Sequence, residues 1–336
     1  MTGGKVLLEV EDLKQYFPIK GGVLGRTVNH VKAVDGISFV VYEGETLSIV
    51  GESGCGKSTT GRTILRLDEP YAGKVTFDGE DLTAISKRAM RKKRGDMQII
   101  FQDPYASLNP RHTVFNILDE AMTIQGIGEK STRRQKIAEL LETVGLGQHQ
   151  MDLFPHQFSG GQRQRIGIAR ALSVRPRLII CDEAVSALDV SVQAQVLNLL
   201  KELQRKFMLT YVFISHDLGV VRHISDRIIV MYLGKIMEVS DKASLFNSPG
   251  HPYTYALLSS IPSTNMKEQK ERLILTGDVP SPINPPKGCP FHTRCPYVFD
   301  KCKTTTPPFY NLNETQQAAC HLLEKGRVDF SAMVST

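Results

Sequence analysis

The sequence predicts an α/β fold. An N-terminal antiparallel β subdomain, an inserted α-helical subdomain and a small Cys/Pro-rich C-terminal appendage are built onto a core of buried strands and helices. Three observations carry this expectation. Apolar and polar residues alternate at the start of the chain, a glycine-rich turn joins a short apolar run to a helix near residue 50, and proline becomes frequent after about residue 247.

The elements follow in order. Leu7-Leu8-Glu9-Val10 and Val34-Asp35-Gly36-Ile37-Ser38-Phe39-Val40 place antiparallel strands over residues 6–41, joined by a Gly-rich loop at 21–25. Residues 46–50 read as a short buried strand, and 58–67 as a helix. Residues 109–170 are mostly helical in pattern, with charged runs such as Lys130-Ser131-Thr132-Arg133-Arg134. Strands return at 178–181, 211–215 and 227–231, with helices between them, and 231–239 reads as a hairpin turning at Gly234. Beyond residue 247, Pro249, Pro252, Pro262, Pro280, Pro282, Pro285 and Pro286 argue against a regular domain. The expected division is therefore a domain over 6–247, with its helical subdomain at about 105–170, and an extension over 248–325 held by something other than a large core. There is no internal repeat.

Composition bounds the function. The chain has 336 residues, 41% hydrophobic and 23% charged, an ordinary globular composition that suggests neither disorder nor a fibrous fold. No apolar run approaches the ~18 residues needed to span a bilayer, and Met1-Thr2-Gly3-Gly4-Lys5 has no apolar stretch behind it, so no signal peptide is expected. A soluble, cytoplasmic chain is the expectation. The net charge of +6 permits contact with nucleic acid or an anionic membrane, although a mildly basic surface without a partner is the preferred explanation.

Gly51-Glu52-Ser53-Gly54-Cys55-Gly56-Lys57-Ser58-Thr59 fits G-x-x-x-x-G-K-[ST] between a strand and a helix, the P-loop pattern of nucleotide-binding proteins. Its glycines let backbone N–H groups surround phosphate, and the following helix points its positive end at them. Lys57 is placed to reach the β- and γ-phosphates and Ser58 to ligate Mg²⁺, while the Cys55 side chain reads as a small buried filler. A P-loop core of RecA-like type is the corresponding fold. Leu178-Ile179-Ile180-Cys181-Asp182-Glu183 is a buried strand ending in two acids: Asp182 for the Mg²⁺ shell and Glu183 to polarise the attacking water.

Phe158-Ser159-Gly160-Gly161-Gln162 precedes a helix running through Ala171 and forms a second helix-N-terminal anion site. One P-loop and two phosphate cradles make sense when two chains sandwich the nucleotide. The chain here resembles the ABC-transporter ATPase family, whose LSGGQ signature carries leucine where this chain has Phe158. The resemblance spans about residues 6–245. It implies that Ser159, Gly160, Gly161 and Gln162 contact ATP held by the opposite subunit, that Gln102 senses Mg²⁺ and links to the membrane subunits, and that Asp189 lies in the loop communicating across the dimer. It further implies that His216 contacts the γ-phosphate and that Phe17 (or Tyr16) stacks on adenine.

Phe101-Gln102-Asp103-Pro104-Tyr105-Ala106-Ser107-Leu108-Asn109-Pro110-Arg111, the block from Val185 to Gln195, and His251-Pro252-Tyr253-Thr254 are similar to the ATPases of di- and oligopeptide importers, a branch that includes nickel importers. The likeness is greatest to the F-type ATPase subunit. This branch usually has proline where this chain has Ala184. The resemblance implies a heterodimer with a second, related ATPase subunit, two transmembrane permease subunits, an extracellular or periplasmic substrate-binding protein, no nucleic acid, and a peripheral place on the cytoplasmic side of the cell membrane. A soluble ABC ATPase acting on nucleic acid or ribosomes is the alternative.

Cys289, Cys295, Cys302 and Cys320 are spaced C-x5-C-x6-C-x17-C. In a cytosolic chain such a group suits metal better than disulfides, but the close pairs usual for structural zinc are missing. The resemblance implies a [4Fe–4S] cluster in at least some relatives; zinc and unligated thiols remain open. A metal would account for the folding of a segment with little core.

Overall fold

The computed structural model describes residues 4–21, 25–261, 273 and 275–330. Gly22, Val23 and Leu24 of the first loop, Pro262 and the first three residues therefore lie outside the described residues. In chain order the elements begin with strands β1 (Val6–Gly21), β2 (Arg26–Tyr42) and β3 (Thr46–Val50), then helix α1 (Lys57–Ile64). Strands β4 (Ala72–Phe77) and β5 (Glu80–Asp81), helix α2 (Lys87–Lys93) and strand β6 (Met97–Ile100) follow. The helical stretch comprises α3 (Pro104–Ser107), α4 (Val114–Ile124), α5 (Lys130–Thr143) and α6 (Gly160–Leu172). After it come β7 (Leu178–Asp182), α7 (Val190–Phe207), β8 (Thr210–Ser215), α8 (Leu218–Ile224), β9 (Arg227–Tyr232) and β10 (Lys235–Asp241). The last elements are α9 (Lys242–Asn247), α10 (Pro252–Ser259), α11 (Asp300–Thr304), β11 (Tyr310–Asn311) and β12 (Gln317–Ala318).

Two compact units interleave along the chain. One is built mainly from Ala84–Ser215 with Val41–Thr46. In it β6 pairs with β7, and β7 with β8, all parallel, Ile100 lying beside Cys181 and Asp182 beside Ile214. Residues 178–181 are buried on both faces, so a parallel strand covered on both sides explains their unbroken apolar run. The register brings Gln102, two residues past β6, to the same strand end as Asp182 and Glu183. Helices α3 to α6 form the helical part, where α6 buries Ile166, Ile168, Ala169 and Ala171.

The other unit comprises Leu8–Val40, Leu47–Thr83 and the chain from His216 onward. An antiparallel sheet of order β2-β1-β4-β5 accounts for the alternation near the N-terminus. Strand β3 runs parallel to β9, and β9 returns as β10 through a hairpin whose Leu233 and Gly234 both have positive φ. The predicted turn at Gly234 is therefore present.

The tail departs from the sequence reading. Pro252 does not interrupt structure; it occupies the first turn of α10, where no intrahelical N–H is needed. His251 caps that helix by accepting the Tyr253 N–H on Nδ1 at 3.0 Å, and burial lowers its pKa to about 3, which keeps the imidazole neutral. The tail is also held by apolar packing, contrary to the expectation of a segment with little core. Tyr253, Cys289, Phe291 and Cys302 share one cluster with Val50, Ile228, Val230, Tyr232 and Met237. Its anchors are dispersed among prolines without period, so no hydrophobic pattern revealed them. Strand β12 adds to the edge of β10, where the wholly buried Glu238 accepts from the N–H groups of Gly250 and His251 and from Gln316.

Candidate active site

The P-loop is fixed by close backbone approach. A Cβ at Gly51 would lie 2.2 Å from the Met231 carbonyl oxygen, and one at Gly56 would lie 2.2 Å from that of Ala33, so neither position admits a side chain. Gly56 is the N-cap of α1 at φ 104°, with no side chain closing the first turn. Lys57 is 4% exposed. Its ammonium donates to the carbonyls of Gly51 at 2.8 Å and Glu52 at 3.0 Å, which holds the charge along the loop. Ser53 and Gly54 are exposed, Ser58 and Thr59 half-buried, and Cys55 is buried beside the lysine as a filler should be. Burial raises the Cys55 pKa.

Glu52, an unconstrained position of the motif, has partners that the sequence did not disclose. Arg294 forks onto its carboxylate at 2.7 and 3.2 Å, and its N–H donates to the Tyr253 hydroxyl at 2.8 Å. Phe17 stands on β1, 37% exposed. Tyr16, the other aromatic considered for adenine, is engaged: its hydroxyl donates to Asp35, and its ring lies 4.5 Å from that of Tyr71. His216 is exposed, directly after β8.

In the first unit, Gln102 and Glu183 meet: the Gln102 amide donates to Glu183 Oε2 at 2.8 Å. Glu183 has a left-handed φ of 48°, a costly conformation for a non-glycine residue. Its N–H donates to the Ile214 carbonyl at 3.0 Å, and its carbonyl accepts from Ser186 N–H and Oγ at 3.1 and 3.0 Å. This bend re-aims the carboxylate at the end of β7. Ala184, where the resemblance leads one to expect proline, is buried beside it.

Ser159 caps α6: its Oγ accepts the Gln162 N–H at 3.3 Å, and Gln162 Oε1 accepts the Ser159 N–H at 3.0 Å. That reciprocal pair is a capping box. Ser159 and Gly160 are exposed, whereas Phe158 is buried and anchors the turn. A Cβ at Gly161 would come within 2.4 Å of Val192 on α7. Asp189 takes the N-cap position of α7, exposed and with no side-chain cap bond.

These motifs are matched by known proteins. A model of the ABC transporter family fits residues 34–186, and one of the oligopeptide/dipeptide transporter C-terminal region fits residues 237–302. Over 321 residues the chain is 55% identical to the oligopeptide transport ATP-binding protein AppF of Bacillus subtilis, covering 95% of this chain and 98% of that one. The chain belongs to the ATP-binding subunits of the oligopeptide/dipeptide ABC transporters. Another B. subtilis member of this family, the putative oligopeptide transport ATP-binding protein YkfD, is 51% identical over 319 residues, with 94% and 95% of the two chains covered. Among solved structures, the ATP-binding cassette MJ0796 bound to ADP and Pi matches with a TM-score of 0.62 and 29% identity, over 70% of this chain and 99% of that one. The α/β P-loop fold expected from the motifs is thereby that of an ABC ATPase.

Two metals are implied for such a subunit. Oxygen donors of the kind Mg²⁺ prefers are carried by Ser58 in one unit and by Asp182 and Gln102 in the other, each unit taken by itself. The four tail cysteines line one cavity of about 10 Å³, with His251, Phe291, Tyr297 and His321. Burial first, and the neighbouring thiols after it, push Cys289 up to about 11 and Cys295 and Cys320 up to about 12. Among the described residues, however, no group of three or more His, Cys, Asp or Glu side chains is arranged to hold a metal ion. The cysteines suit a soft metal in kind but not in their present spacing, and the cavity has room for about one water.

Proposed function

We propose that this subunit binds and hydrolyses ATP to power the import of di- or oligopeptides. The peptide assignment is supported by the relatives' names, both of which specify oligopeptide transport. The observation that carries the hydrolytic part is the 2.8 Å bond from Gln102 to Glu183, which couples a candidate water-polarising base to the loop after β6. In this reading the P-loop residues Gly51, Ser53, Gly54, Cys55, Gly56, Lys57, Ser58 and Thr59 cradle the phosphates, and Phe17 stacks on adenine. Asp182, Ser58 and Gln102 serve Mg²⁺, Glu183 orients the attacking water, and His216 reads the γ-phosphate. Ser159, Gly160, Gly161, Gln162 and Asp189 complete the site of the opposing subunit. Most of the rate enhancement then comes from positioning and charge stabilisation.

The proposed assembly is a heterodimer with a related ATPase, docked on two permease subunits and served by a substrate-binding protein. No helix among the described residues is long and apolar enough to cross a membrane, so attachment to the cytoplasmic face is assigned to the permeases. Affinity capture from detergent-solubilised membranes tests this. Two multi-span proteins and a second ATPase are expected; recovery only with ribosomes or nucleic acid overturns transport while leaving ATP chemistry intact.

For the cysteines the proposal is a structural [4Fe–4S] cluster: four thiols line one cavity, and binding would have to widen it and draw them into a ligand set that their present spacing does not form. Anaerobic purification followed by iron and sulfide analysis and a visible spectrum tests it. Four irons per chain support the cluster. A colourless protein holding one zinc, or no metal with a protease-resistant tail, overturns it.

A further inference from the structure

We propose that Arg294 and Tyr253, both from the C-terminal tail, are positioning residues for the ATP-binding loop, acting through Glu52. The proposal rests on the ATPase reading above and adds a role for the tail in nucleotide affinity.

Glu52 is engaged at each of its polar groups. Its carboxylate receives both terminal nitrogens of Arg294, its N–H donates to the Tyr253 hydroxyl, and its carbonyl accepts from the Lys57 ammonium. The ion pair is partly shielded, with the Arg294 side chain 8% and the Glu52 side chain 26% exposed. A two-pronged guanidinium–carboxylate pair fixes direction as well as distance. Tyr253 is wholly buried, wedged between the Tyr232 ring at 4.9 Å and the Phe291 ring at 5.3 Å, so its hydroxyl has little freedom to follow a moving loop. The Arg294 guanidinium lies 5.9 Å from the centre of the Tyr232 ring. Tail and P-loop thus meet at a rigid aromatic wall, and the point of meeting is the residue whose carbonyl holds Lys57.

A glycine-rich loop left to itself samples many conformations, and only those aiming its N–H groups and lysine inward bind phosphate. Pinning Glu52 raises the fraction of competent loop. When that fraction falls to about one-tenth, apparent affinity falls about tenfold while the chemistry of the bound state is little changed. Arg294 and Tyr253 therefore act on ATP binding ahead of the hydrolytic step.

The full-length chain is used for the test, with Mg-ATP binding followed by titration, KM and kcat measured in the reconstituted transporter, and thermal unfolding in parallel. Arg294→Gln is expected to raise Kd and KM about tenfold and to change kcat less than threefold. Arg294→Lys should recover part of the loss, because a point charge replaces the fork. The exchange Glu52→Arg with Arg294→Glu should return affinity to within about threefold of the wild type. Tyr253→Phe removes a single oxygen and should raise Kd about threefold, so it carries the test if the arginine variants do not fold. A lowered melting temperature with unchanged Kd and KM in both Arg294→Gln and Tyr253→Phe overturns the proposal. Failure of the wild type itself to bind ATP overturns the ATPase reading, a result distinct from equal binding by wild type and variants.

Discussion

Two helices of this chain, α1 and α6, begin with glycine-rich turns suited to phosphate, and they are finished in opposite ways. At α1 no side chain caps the first turn, and the loop before it is pressed against backbone at Gly51 and Gly56. At α6, Ser159 and Gln162 cap each other's N–H groups, and the turn is exposed. The first leaves its opening N–H groups without a side-chain cap and holds its lysine along the loop, which suits a site that keeps its nucleotide. The second spends its donors internally until something displaces the cap, which suits a surface that engages and releases. In the proposed heterodimer, α1 holds this chain's ATP and α6 visits the ATP held by the opposing subunit.

The sharpest test of this division concerns the acid that serves the α1 site. Glu183→Gln should preserve ATP binding and cut turnover by roughly 10²–10⁴-fold, the range for losing a general base. Unchanged turnover in a phosphate-release assay removes Glu183 from its role. Next in size is Gly56→Ala. Its Cβ would meet the Ala33 carbonyl oxygen at a left-handed φ, so a loss of about 2–4 kcal/mol in unfolding free energy is expected, together with weaker ATP binding. A variant as stable as the parent in denaturant titration would show that the loop is less confined than the geometry implies.

Gln102→Ala removes the amide that donates to the Glu183 carboxylate. A hydrogen bond to a charged group contributes about 1.5–3 kcal/mol, so kcat should fall at least tenfold with little change in Kd for ATP. A fall in affinity alone would assign Gln102 to binding. The smallest effect belongs to α6: Ser159→Ala removes one cap and should cost about 1 kcal/mol of stability. Ser159→Asp keeps a cap but brings a negative charge to the exposed turn. If α6 engages phosphate, the aspartate variant should retain stability and lose transport-coupled ATPase; equal activity of the two variants argues against that engagement.

Much of the α1 and β7 chemistry was legible because it is local. A P-loop is a contiguous string whose glycines, lysine and serine have fixed spacing, and a parallel strand buried on both faces announces itself as an apolar run. The capping box at Ser159 and Gln162 is likewise a short-range pattern. Long-range partners left no such trace. Arg294 is separated from Glu52 by 242 positions, and neither lies in a pattern that names the other. The tail misled for a related reason. Its prolines suggested irregular chain, yet Pro252 starts a helix, and Tyr253 and Phe291 belong to a shared core rather than to a periodic face.

By itself, then, the sequence determined which chemistry the chain carries: a phosphate loop, a pair of acids ending a strand, a glycine-rich helix start and four thiols. Each depends on residues close together in the chain or on a repeated spacing. Tertiary structure decided what those pieces touch. It brought Gln102 to Glu183 through the register of β6 beside β7, gathered four spaced cysteines around one cavity, and set the tail's arginine and tyrosine on the P-loop. Such contacts arise from folding distant segments into one packed interior, where position in space, and not order in the chain, selects the partner.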